Sequence, residues 1–213
     1  MTEFIAARWQ DILFRSYQHT SLVIQSVDVA LIIALVIAIF VAQRPRGAAL
    51  ANALSSIGLT LPSLALLGLA IPLFGIGTVP SVVLVVFYAV LPILRNAIVG
   101  LHTVDPTVIE SARGQGMSSA AILFRVRLPL AWPIIMTGIR VATQMSMGVA
   151  AIAAYALGPG LGGYIYSGLS QIGGTNALNY TLVGTLGVVV IALIVDAILA
   201  GIQKLTTPKG ISA

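Results

Sequence analysis

Few side chains in this sequence can do chemistry, and their types exclude most of it. There is no cysteine, and the two histidines, His19 and His102, lie far apart in the chain. Thiolate nucleophiles, disulfides and the usual metal-ligand spacings are therefore absent, and no metal site is assigned. A phosphate-cradling loop needs Gly-x-x-x-x-Gly-Lys-[Ser/Thr]. The only two lysines, Lys204 and Lys209, have no such context. Gly158-Pro159-Gly160-Leu161-Gly162-Gly163 is glycine-rich, but it follows an apolar run and lacks the βαβ frame of a nucleotide site. No residue is assigned a catalytic role. The chain is expected not to be an enzyme or to hydrolyse ATP.

What remains is a small set of charges inside apolar runs and one polar stretch. Arg95, Arg140 and Asp196 fall within apolar segments, where ionisable groups are costly and are usually paired. Asp196 is expected to pair with Arg140 or Arg95 and so fix how the segments pack. The longest polar stretch, 101–130, contains Val104-Asp105-Pro106-Thr107 and Gly114-Gln115-Gly116. Asp105 suits an N-cap and Pro106 the first helical position. Gly114 and Gly116 suit a helix stop. Ser118 or Ser119 can cap a second helix through Ala120–Phe124, with Pro129 and Pro133 marking a turn beyond it. The pattern predicts a helix-turn-helix protrusion whose small residues, Ala112 and Gly116, let another protein approach closely.

The elements that hold these groups follow from composition. Of 213 residues, 58% are hydrophobic and 8% charged, and the mean hydropathy is +1.04. Such a chain lacks the polar residues to cover a soluble core. Several runs reach the roughly 20 residues that a helix needs to cross a ~30 Å hydrocarbon layer. A closed barrel would need alternating segments, and these runs are continuous. The fold class is an all-α integral membrane protein with five transmembrane helices, at about 21–42, 54–74, 79–100, 131–157 and 180–203.

Orientation comes from the basic residues. With the loops 43–53 and 101–130 and the tail 204–213 inside, seven cations lie in the cytoplasm: Arg44, Arg46, Arg113, Arg125, Arg127, Lys204 and Lys209. Two, Arg8 and Arg15, lie outside, so the positive-inside rule puts the N-terminus outside. The net charge of +5 reads as this cytoplasmic excess, not as a nucleic-acid surface. Residues 1–20 are expected to form an interfacial segment, with Ile5, Trp9, Ile12, Leu13 and Tyr17 near one face. Residues 21–203 form the membrane-spanning body, and its first apolar run reads as an uncleaved signal-anchor.

Pro62, Pro72 and Pro92 interrupt the spans, either to line a pathway or to serve packing. Ala30, Ala34 and Ala38 form a small-residue face for close helix contact. Residues 158–179 carry no formal charge and lie outside, as a short interfacial or re-entrant helix or as a polar loop.

The polar stretch resembles a known family. Glu110-Ser111-Ala112, three residues, Gly116, nine residues and Val126-Arg127-Leu128-Pro129 are similar to the EAA motif of ATP-binding cassette importer permeases. Ser111 and Val126 depart from the family's alanine and isoleucine without changing the register. The resemblance implies a type I importer permease fold. It also implies that Glu110, Ser111, Ala112, Gly116, Val126, Leu128 and Pro129 shape a coupling helix that docks on a separate ATPase subunit. ATP and magnesium would be bound by that partner, and this chain would hold no cofactor.

Three further segments, Thr60–Leu67 with Ile71–Gly77, Tyr88–Asn96 and Gly158–Gly162, look like those of osmoprotectant permeases. The implied cargo is glycine betaine, choline or carnitine, delivered by an extracytoplasmic substrate-binding protein. The implied assembly pairs two permease chains, identical or paralogous, in the lipid of a prokaryotic cytoplasmic membrane. A trimethylammonium group lacks N–H donors and is best held by aromatic faces. Phe87, Tyr88, Tyr155, Tyr164 and Tyr166 are candidates along a pathway, and aromatics near membrane ends also serve as anchors. The alternatives are an amino-acid or methionine permease of the same class, an ATP-independent secondary transporter, or a structural membrane protein. The last two leave the spaced Glu110-to-Pro129 motif unexplained.

Overall fold

The computed structural model describes residues 1–207, so Lys209 and the last residues of the tail lie outside the described residues. Among the described residues nine α-helices follow one another: α1 (Thr2–Val41), α2 (Pro45–Thr60), α3 (Ser63–Phe74), α4 (Thr78–Thr103), α5 (Pro106–Gly114), α6 (Ser119–Ile122), α7 (Leu128–Ile152), α8 (Gly162–Ser170) and α9 (Ala177–Thr206). A π-helical segment, Leu123–Arg127, joins α6 to α7, and a 3-10 turn, Ala153–Ala156, follows α7.

Helix α4 is the centre, packed on α7 and α1 and, at its flank, on α2 and α3. Small residues permit this closeness. Ala30, Ala34 and Ala38 of α1 are fully buried at successive fourth positions. Cβ atoms added at Gly100 and Gly138 would stand 3.0 Å from the Ala131 carbonyl oxygen and 2.6 Å from Asn96 Cβ, so α4 and α7 touch nearly backbone to backbone. Without a hydrophobic driving force between helices in lipid, such packing is the main source of cohesion.

The second apolar run, read from the sequence as one span interrupted at Pro62, is two helices bent by 94°. Leu61 and Pro62 are extended, as expected of a residue before proline and of proline itself outside a helix. The Tyr88 hydroxyl donates to the Leu61 carbonyl freed at the break. The pair still carries the chain from one end of the bundle to the other. Ala42 and Gln43, just after α1, lie beside Leu101 and His102 of α4, whereas the α3–α4 turn is tied to the far end by Gly77 N–H donating to Ala156 O at 2.6 Å.

Two further differences concern helix continuity. Helix α1 runs unbroken through residues 2–41, with no joint near residue 20. Pro129 and Pro133 do not mark a turn. The chain from Ser119 to Ala156 is continuous, with Pro129 in the first turn of α7 and Pro133 inside it. The π segment makes this workable, because Leu128 N–H reaches back to Leu123 O and the ladder shifts by one residue just ahead of the missing proline N–H.

Candidate coupling protrusion and pathway

The 101–130 loop folds as the spacing requires. Asp105 Oδ1 accepts from the Thr107 backbone N–H and hydroxyl, both at 2.8 Å. These two donors hold the Asp105 carboxyl below the usual carboxylate range. Helix α5 then ends in a Schellman arrangement, with Met117 N–H donating to Ala112 O and Gly116 N–H to Arg113 O. Gly116 has φ +81°, the left-handed conformation that glycine adopts at no steric cost. Ser118 Oγ accepts from Ala121 N–H and starts the next helix.

This unit has its own small core of Val104, Ile109, Ala112 and Ile122, with Met117, Val126 and Leu130 against it. Ala112 is therefore inside the protrusion and cannot offer its surface to a partner, contrary to the reading from residue size. Leu128 packs on the main bundle. Glu110, Ser111, Gly116 and Pro129 are exposed, and a Cβ on Gly116 would meet nothing within 4 Å. The sequence reading passed over Phe124, which is 63% exposed beside this surface, and Val108, 41% exposed. The signal was available as an aromatic residue between a polar turn and two arginines.

Asp196 faces Arg140. The guanidinium grips both carboxylate oxygens at 2.9 Å and donates to Gln203 Oε1 at 3.2 Å, while Gln203 Nε2 donates to the Pro133 carbonyl at 3.1 Å. Trp132 Nε1 adds a bond to Thr206 Oγ1 at 2.8 Å. This network joins α7 to α9. Arg95 is not part of it. It stands exposed on α4, in a groove of about 290 Å³ with Leu59, Asn96, Val141 and Met145.

The five aromatic candidates fall into different settings. Tyr88 is buried and Phe87 half-buried, their rings edge to face. Tyr164 is buried and its hydroxyl donates to Asp11 Oδ2 at 2.6 Å, under the Arg15 guanidinium. Burial, together with the Asp11 carboxylate, pushes the Tyr164 phenol well up, so it stays a donor. Tyr155 and Tyr166 are exposed and face each other. Of the two readings of 158–179, the structure has the helix, α8, packed on α9.

An all-helical bundle with a broken second span and a protruding helix pair between the third and fourth defines a membrane permease component. The chain belongs to the family of binding-protein-dependent transport system inner membrane components, which matches residues 30–207. It is 35% identical over 210 residues to the choline transport system permease protein OpuBB of Bacillus subtilis, covering 99% of this chain and 95% of that one. It is 36% identical over 211 residues to the glycine betaine/carnitine/choline permease protein OpuCB of the same organism, with 99% and 95% covered. It is 37% identical over 201 residues to the osmoprotectant import permease protein OsmW of Salmonella typhimurium, with 92% of each covered. Its fold matches the inward-facing MetNI methionine transporter with a TM-score of 0.79, 21% identity and coverage of 92% of this chain and 96% of that one.

Proposed function

We propose that this chain is the membrane-spanning subunit of an ATP-driven importer of quaternary ammonium osmoprotectants in a prokaryotic cytoplasmic membrane. The protrusion carries the coupling part of this reading. Its exposed ridge at Glu110, Ser111 and Gly116 is held rigidly by two side-chain caps and a Schellman stop, on a chain with no phosphate-binding loop of its own. A separate ATPase docks there, and its closure on ATP moves the protrusion and the helices it continues into. A second permease chain completes the pathway, and an extracytoplasmic binding protein delivers the solute. The cargo rests on the relatives, whose names specify choline, glycine betaine, carnitine and osmoprotectants. The likeness to a methionine transporter concerns the fold and carries no cargo.

The test is uptake of labelled glycine betaine at high osmolarity by cells carrying the intact transporter or its Gly116→Asp form. Loss of uptake by a variant that still reaches the membrane supports both parts. No uptake by either removes the cargo, and equal uptake by both removes the coupling role.

A further inference from the structure

The molecule contains one aromatic corner whose occupant is visible. The rings of Phe4 and Tyr180 meet with centroids 4.8 Å apart at 80°. The Arg8 guanidinium carbon lies 5.2 Å from one centroid and 5.1 Å from the other. Two ring faces at nearly a right angle thus hold one cation through their electron-rich sides. The corner joins the start of α1 to the start of α9 and is closed by its own arginine.

Tyr155 and Tyr166 repeat the geometry elsewhere at the same end of the bundle. Their centroids are 5.2 Å apart at 80°. No arginine or lysine among the described residues stands over this pair. Both rings are open, at 49% and 41% exposure, unlike Phe87 and Tyr88, whose similar crossing is packed into the bundle. Tyr155 lies in the 3-10 turn that closes α7, and Tyr166 lies on α8, so two elements must be held in register to make the corner. The turn ends at Leu157, the one residue other than glycine with positive φ (+58°) among the described residues. A bulky side chain in that conformation is uncommon and needs its surroundings to impose it. The 155–179 segment carries no charge of either sign, so nothing there would trap a cation too tightly to leave.

Resting on the cargo reading above, we propose that Tyr155 and Tyr166 form a two-walled contact site for the trimethylammonium head of the solute, at the end of the pathway opposite the coupling protrusion. Two rings, against the three or four of a tight cage, suit a transient station between receptor and pathway. The polar remainder of the solute, a carboxylate or a hydroxyl, would face away from the rings, so glycine betaine and choline should depend on the corner alike.

The test uses the assembled transporter with its binding protein, in cells, and replaces Tyr166 by phenylalanine and by phenylalanines with one, two and three ring fluorines. Fluorine drains the ring face while leaving its size and apolar character nearly unchanged. Tyr166→Phe sets the starting KM against which the fluorinated rings are compared. The KM for both solutes is expected to climb with each fluorine, to about two- to fivefold for the last, the size of one exposed cation–π contact. The same series at Tyr155 should give the same climb, and membrane level is followed by an epitope tag. A flat KM across the series, with protein present and the parent active, overturns the site and leaves the cargo reading standing. A parent that transports neither solute removes the cargo reading and the site together.

Discussion

Asp196 and Arg140 show how much one contact in the inner bundle fixes. The pair is two-pronged and partly buried, with side-chain exposures of 21% and 32%, and Gln203 ties it to the Pro133 carbonyl. Replacing Asp196 by Asn leaves the guanidinium facing a neutral amide and is expected to cost about 2 kcal/mol, the worth of a hydrogen bond to a charged group. Thermal unfolding in detergent would show the loss. The double variant Arg140→Gln/Asp196→Asn should recover part of it, because no unpaired charge remains. An equal melting temperature for Asp196→Asn and the parent would mean that helix packing alone sets the α7–α9 contact. Gly116 gives a matched comparison on the protrusion. Gly116→Ala must hold φ +81° with a Cβ, a strain of about 1 kcal/mol, whereas Gly114→Ala sits in α5 with open space around it and gains helix propensity. Uptake should fall for the first and hold for the second.

Among elements, the seam between α8 and α9 is closely packed. A Cβ on Gly168 would lie 2.1 Å from Thr181 Oγ1 and 2.7 Å from Ala177 O, and one on Gly184 would lie 2.9 Å from Ile165 N. Gly168→Ala and Gly184→Ala are therefore expected to push α8 off α9, at about 1–3 kcal/mol each for overpacking. Gly68→Ala and Gly201→Ala, with nothing within 4 Å, should leave the melting temperature unchanged or slightly raised. If all four behave alike, the seam is not as close as described. The sequence made some elements legible and others not. The caps at Asp105 and Ser118 and the stop at Gly116 could be read because each uses residues within a few positions of one another. The choice of Arg140 over Arg95 for Asp196 could not, since it depends on how α7 and α9 align. Pro62 announced a break, but its 94° angle is shaped by Tyr88 reaching Leu61 and by Leu91 lying against Gly58, contacts across about 30 residues. Nor does any residue type announce the π segment at Leu123–Arg127, which appears only when the helix is seen to continue past Pro129.

At the scale of the whole molecule, the number of crossings decides which face each site occupies. Helix α1 starts beside α8, through Asp11 and Tyr164, and ends beside the foot of α4. The bent α2–α3 pair joins the two ends of the bundle, so the start of α1 and the protrusion lie at opposite ends of it and, in a membrane, on opposite faces. The basic residues agree with this crossing, since Arg44, Arg46, Arg113, Arg125 and Arg127 then share the cytoplasmic side. The absence of native cysteine makes the check clean. Single cysteines at Thr2, Ser118 and Ser170, all exposed positions, are expected to react differently with a membrane-impermeant maleimide. Thr2→Cys and Ser170→Cys should label in intact cells, and Ser118→Cys only after the membrane is opened. Labelling of Thr2→Cys and Ser118→Cys from the same side would contradict this path of the chain. It would also place the protrusion and the Tyr155–Tyr166 corner on faces where neither could do what is assigned to it.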